Sequence, residues 1–125
     1  MTLLLDTHVL LWWAADDDRL GPAARERLRG EGVRVSAVTA WEVEVKRALG
    51  RLDAPDDLAA LLRQEGFVEL PLSLEHAVDA GRLPRHHDDP FDRALVAQAR
   101  AERLVLVTAD QALEDYDVER LDARG

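Results

Sequence analysis

Leu3-Leu4-Leu5-Asp6-Thr7-His8-Val9-Leu10-Leu11-Trp12-Trp13 decides how the rest of the chain is read. Three consecutive leucines with no polar alternation suit a strand buried on both faces, as at the centre of a parallel sheet. Asp6 follows at once, and Thr7 to Trp13 has helical composition. A carboxylate on such a strand-to-helix turn stands at the carboxyl edge of the sheet, where open α/β folds place their ligands. Leu104-Val105-Leu106-Val107 repeats the pattern and passes through Thr108 and Ala109 into Asp110.

Between these two runs, strands alternate with helices. Gly21-Pro22 starts a helix that continues through Leu28 to Gly30, with proline near the first helical position. Val33 to Ser36 is a short strand, and Ala37 to Leu49 is a helix that stops at Gly50. Asp56 or Asp57 caps a helix through Leu62 that ends near Gly66. Phe67 to Leu70 is a strand closed by Pro71, and Ser73 caps a short helix over Leu74 to Ala80. Arg82 to Asp89 is a polar, basic loop, and Pro90 opens a helix from Phe91 to about Glu102. A short helix at Gln111–Leu113 and an edge strand at Val118–Leu121 complete the chain. The alternation predicts an α/β fold with a mainly parallel sheet.

The chain has 125 residues, which fits one domain spanning 1–125. A hydrophobic content of 47% supports a core, and a charged fraction of 33% supplies a soluble surface. The absence of cysteine excludes thiolate metal sites and a cysteine nucleophile. No apolar run approaches the roughly 20 residues of a spanning helix and no basic leader precedes the leucines, so a cytoplasmic location and no membrane contact are expected. The net charge of −9 is the opposite of a basic nucleic-acid footprint, yet it suits a pocket whose acids hold cations.

The acids divide by setting. Asp6 and Asp110 each end an apolar strand, so parallel neighbouring strands would bring both to one sheet edge; each alone is equally well a helix cap. Glu42 lies in the helix after Val33–Ser36 among Ala40, Trp41, Val43 and Val45, which could carry it toward the core, whereas Glu44 in the same helix faces elsewhere. In His86-His87-Asp88-Asp89-Pro90-Phe91-Asp92-Arg93, Asp89 reads as a cap, and Asp92 stands either at a capping-box position or in a site near a helix N-terminus. The two adjacent histidines invite zinc, but the other histidines, His8 and His76, are isolated, which disfavours it. Oxygen sites built from aspartate and glutamate suit Mg2+ or Mn2+. Such a cluster, with no nucleophile triad, points to metal-assisted phosphoryl chemistry. Thr7, Ser36 and Thr108 are candidates to orient a bound water, or plain turn and cap hydroxyls.

With these residues in view, the chain resembles a PIN domain, and more closely the toxin nucleases of VapC-type toxin–antitoxin pairs. The anchors are Leu4–His8, Ser36–Glu42, His87–Arg93 and Val107–Asp110, in order over nearly the whole chain. The resemblance implies a three-layer α/β/α arrangement with about five strands. It also implies an acidic pocket holding Mg2+ or Mn2+ on Asp6, Glu42, Asp92 and Asp110, with Asp89 in a capping or supporting role. Arg93 is then a candidate for phosphate contact or for pairing with the acids. The implied activity is endonucleolytic cleavage of RNA leaving a 5′-phosphate and a 3′-hydroxyl. The implied partners are a second copy in a homodimer and a small antitoxin, whose basic segment the acidity would favour.

Three other readings share part of the pattern. A catalytically inactive PIN-like module would use the pocket only for a partner. A haloacid-dehalogenase-like phosphatase needs an aspartate where His8 stands. A phospho-receiver domain needs a lysine after a late strand, whereas the only lysine, Lys46, lies in the Glu42 helix.

Overall fold

The computed structural model describes all 125 residues. Strand β1 (Thr2–Leu5) takes the central place expected of it, in a five-stranded sheet of order β3-β2-β1-β4-β5. Its neighbours are β2 (Gly32–Ser36) and β4 (Val105–Thr108), with β3 (Val68–Leu70) and β5 (Arg120–Asp122) outside them. Every pairing is parallel, including that of the edge strand β5. Leu3 stands beside Val33 and Val105, and Leu4 beside Leu106.

Alternation along a strand sends successive side chains to opposite faces. Leu3 and Leu5 enter one core with Val33, Val35, Val105 and Val107, while Leu4 and Leu106 enter a second. The first core is closed by α1 (Thr7–Ala14) and α2 (Pro22–Gly30), with α4 (Leu58–Glu65) packed at its margin. The second is closed by α5 (Leu74–Arg82), α6 (Pro90–Glu102) and Val38 at the start of α3 (Ala37–Ala48). The result is the three-layer α/β/α architecture. All three leucines of β1 are fully buried, which explains why that stretch has no polar position to spare.

Local chemistry sets the helix limits. Asp6, Ser36, Asp57, Ser73 and Asp89 each accept a hydrogen bond from a backbone amide in the first turn of the helix that follows. Gly50 and Gly66 both adopt φ +69°, and Gly66 ends α4 in the left-handed region. The last elements lie slightly further along than the pattern predicts. A short 3-10 helix occupies Gln111–Asp115, and the edge strand begins at Arg120 because Tyr116 turns inward and the Val118 amide bonds back to it. Trp12 is buried and Trp13 packs against Phe67, so both serve the core; the exposed tryptophan is Trp41, edge-on to Phe91. No helix is long and apolar enough to cross a membrane.

The strand order reverses between β1 and β4: β2 and β3 extend the sheet one way from β1, β4 and β5 the other. Such a switch point opens a crevice beyond the carboxyl ends of the strands. Asp6 and Asp110 flank it.

Candidate active site

The floor of the crevice is made by Asp6 and Glu42, which are 5% and 2% exposed. The Asp6 carboxylate accepts from the Val9 amide at 2.9 Å through Oδ1 and from the Thr108 hydroxyl at 2.6 Å through Oδ2. The Thr7 hydroxyl donates to Glu42 Oε1 at 2.6 Å, and Lys46, one helical turn on, pairs with Oε2. Thr7 and Thr108 thus aim carboxylates. Ser36 does not reach the acids: its hydroxyl caps α3 and donates to Gln98 at 2.5 Å, a buried tie between α3 and α6.

The rim is made by Asp92 and Asp110. Asp92 stands in the first turn of α6, where Asp89 takes the cap by accepting from the Phe91 and Asp92 amides. Its own side chain forms no capping-box bond and instead meets the His87 imidazole at 2.9 Å. Asp110 Oδ1 caps the 3-10 helix, while its Oδ2 lies 3.3 Å from the same imidazole nitrogen. The sequence presents His87 only within the adjacent histidine pair that invites zinc and within the His87–Arg93 anchor. Nothing in that reading folds the ring onto the acids, which the loop ahead of α6 does. The signal was its place five residues before Asp92, across a proline-started helix.

Arg93 corrects an expectation. Its guanidinium binds the carbonyls of Ala80 and Leu83, each at 3.0 Å, and of Pro84 at 3.2 Å. A fork donor held by carbonyls at the end of α5 fastens the 83–89 loop and pairs with none of the acids. Tyr116 helps: its hydroxyl accepts from the His87 amide at 3.1 Å and donates to the Pro84 carbonyl at 2.9 Å.

Electrostatics bind floor to rim. Burial pushes the Asp92 carboxyl up to about 7; the charges of Asp89, Asp6 and Glu42 add to this, and only His87 opposes it. Burial likewise raises Asp6, against the hydrogen bonds from Thr108 and Val9. Burial works against the charged His87 imidazole, but its bond to Asp92 and the nearby charges of Asp92, Asp110 and Asp89 outweigh that and raise its pKa. A group of acids so short of positive charge fits a divalent cation, which supplies that charge locally. The donors are hard carboxylate oxygens that keep free lone pairs beyond the bonds described, so their chemistry also fits. Next to this rim a cleft of about 590 Å³ runs past Asp110, Arg120, Asp122 and Arg124.

Thr108→Val removes the hydroxyl that orients Asp6 while nearly conserving shape. Divalent-metal affinity, measured by calorimetry, is expected to fall at least about tenfold with the fold retained.

A five-stranded parallel sheet with this order and an acid crevice at its switch point describes a class, and the comparisons agree with it. The chain belongs to the PIN domain family, whose model matches residues 3–119. Among proteins of known activity, it is 32% identical over 124 residues to ribonuclease VapC22 of Mycobacterium tuberculosis, covering 92% of each chain. Among solved structures it is similar to VapBC2 from Rickettsia felis bound to a promoter DNA fragment. That match has a TM-score of 0.70 and 14% identity, over 97% of this chain and 98% of the other. A DNA-bound VapBC from Salmonella typhimurium matches with a TM-score of 0.69 and 19% identity, over 98% and 97%. These structural likenesses concern the fold.

Proposed function

We propose that this chain is a metal-dependent endoribonuclease and the toxin of a toxin–antitoxin pair, acting in the cytoplasm as a homodimer. The observation that carries the reading is that buried Asp6 and Glu42 act through their charge on Asp92, which shares the His87 imidazole with Asp110 at the same sheet edge. Membership of the PIN family and the 32% identity to a ribonuclease support it. The neighbouring toxin–antitoxin assemblies support an antitoxin partner.

Asp6, Glu42, Asp92 and Asp110 would hold Mg2+ or Mn2+. Bound there, the metal would supply Lewis acidity for activating water and for offsetting charge on the phosphodiester. The chain's own part is orientation. Thr108 and the Val9 amide fix both oxygens of Asp6, and Thr7 fixes one oxygen of Glu42. Lys46, one helical turn on, pairs with the other. Burial excludes bulk water from the floor, while Asp92 and Asp110 stay open enough to meet a strand.

The test is incubation of antitoxin-free protein with total bacterial RNA and Mg2+ or Mn2+, mapping new 5′-phosphate ends. Discrete ends that vanish with EDTA are expected. Glu42→Gln should abolish them, whereas Glu44→Gln, at an exposed position two residues away, should leave them within twofold, within the free-energy scatter of surface substitutions. Equal effects of the two changes would remove Glu42 from the site. Metal binding without cleavage of any RNA would favour the binding-module reading.

A further inference from the structure

The imidazole of His87 sits where a ligand would, and the four-carboxylate reading leaves it without a task. Its Nε2 is 2.9 Å from Asp92 Oδ2 and 3.3 Å from Asp110 Oδ2, and one donor atom from each of the three residues lies within 4.8 Å of the others. Ligands about 2.1 Å from an octahedral ion stand about 3 Å apart when adjacent, so these separations suit donors sharing one cation. The ring is also held from behind. Its backbone amide is tied to Tyr116, and Arg93 fastens the loop it belongs to. The side chain is 23% exposed, open to an ion from solvent.

We infer that His87 is a nitrogen ligand of the metal at the Asp92–Asp110 rim, making this end of the crevice selective for Mn2+ over Mg2+. Magnesium takes oxygen donors and gives up its waters reluctantly, so an imidazole adds little to its binding. A first-row transition ion gains from imidazole, and Mn2+ is the one that a carboxylate-dominated set also suits. The inference rests on the metal-dependent reading above and adds to it the identity of a donor.

The experiment uses the whole protein loaded with Mn2+, read by pulsed electron paramagnetic resonance for nitrogen nuclear coupling to the metal. Calorimetry gives Mn2+ and Mg2+ affinities in parallel. Wild type should show coupling to a directly bound nitrogen, and His87→Ala should lose it. The Mn2+-over-Mg2+ preference should then drop about tenfold, the scale of losing a metal-supporting group. His87→Gln should likewise lose the coupling, and thermal melts of both variants control for folding. His86→Ala should keep it, since that ring lies against Tyr116 and not the acids. Bound Mn2+ with no nitrogen coupling in wild type, or coupling that survives in His87→Ala, overturns the inference and leaves the nuclease reading standing. Binding of Mg2+ without Mn2+ overturns the inference alone, and binding of neither metal overturns both.

Discussion

Asp6→Asn is expected to lower RNA cleavage by about a thousandfold, because it removes several kcal/mol of metal-dependent transition-state stabilisation. The fold should survive. An asparagine oxygen still accepts from the Val9 amide and caps α1, so the start of the helix is kept. What is lost is the negative charge at a position 5% exposed, next to Glu42 and within reach of Asp92. Initial rates on a mapped RNA site, with a circular-dichroism melt of both proteins, check this. A loss of less than tenfold in a well-folded variant would show that the floor of the crevice is not where the chemistry occurs.

Gly21→Ala is expected to destabilise the fold by about 3 kcal/mol, the upper end for overpacking. A Cβ built there would lie 2.1 Å from the Gly125 carbonyl oxygen and 2.5 Å from backbone atoms of Arg124. Backbone has no rotamer by which to retreat. Residues 122–125 would have to lift away, breaking the bond from the Gly21 amide to the Ala123 carbonyl at 2.8 Å and exposing fully buried Ala123. Urea denaturation checks the value. Gly30→Ala is the control: nothing lies within 4 Å of the added atom, and the change should be neutral or stabilising by up to about 1 kcal/mol. Equal behaviour of the two would show that residues 122–125 do not pack tightly on α2.

Much of this molecule is legible in Leu3–Asp6 and Val105–Asp110. Two apolar runs buried on both faces have to be central, and the acids after them then share an edge. Glu42 was recognisable by its apolar flanks, and Asp89 by its place before a proline-started helix. The fate of polar side chains in the 83–93 segment was not legible. Whether Arg93 faces acids or carbonyls depends on where the end of α5 lies, and nothing local fixes that. His87 was hidden for the same reason: its ring reaches Asp110 only because α6 and β4 bring the two segments together. The pairing of Lys46 with Glu42, by contrast, is a helix spacing of four and was open to reading.

The bond between the Thr108 hydroxyl and the Asp6 carboxylate spans 102 positions of chain. That separation is also an interval of time. At roughly 5–20 residues per second, a ribosome takes on the order of ten seconds to proceed from one to the other. Throughout it Asp6 lacks the group that orients it, and β1 lacks one of its two flanking strands. The crevice therefore closes only after β4 has emerged, long after Asp6 and Glu42 have been made.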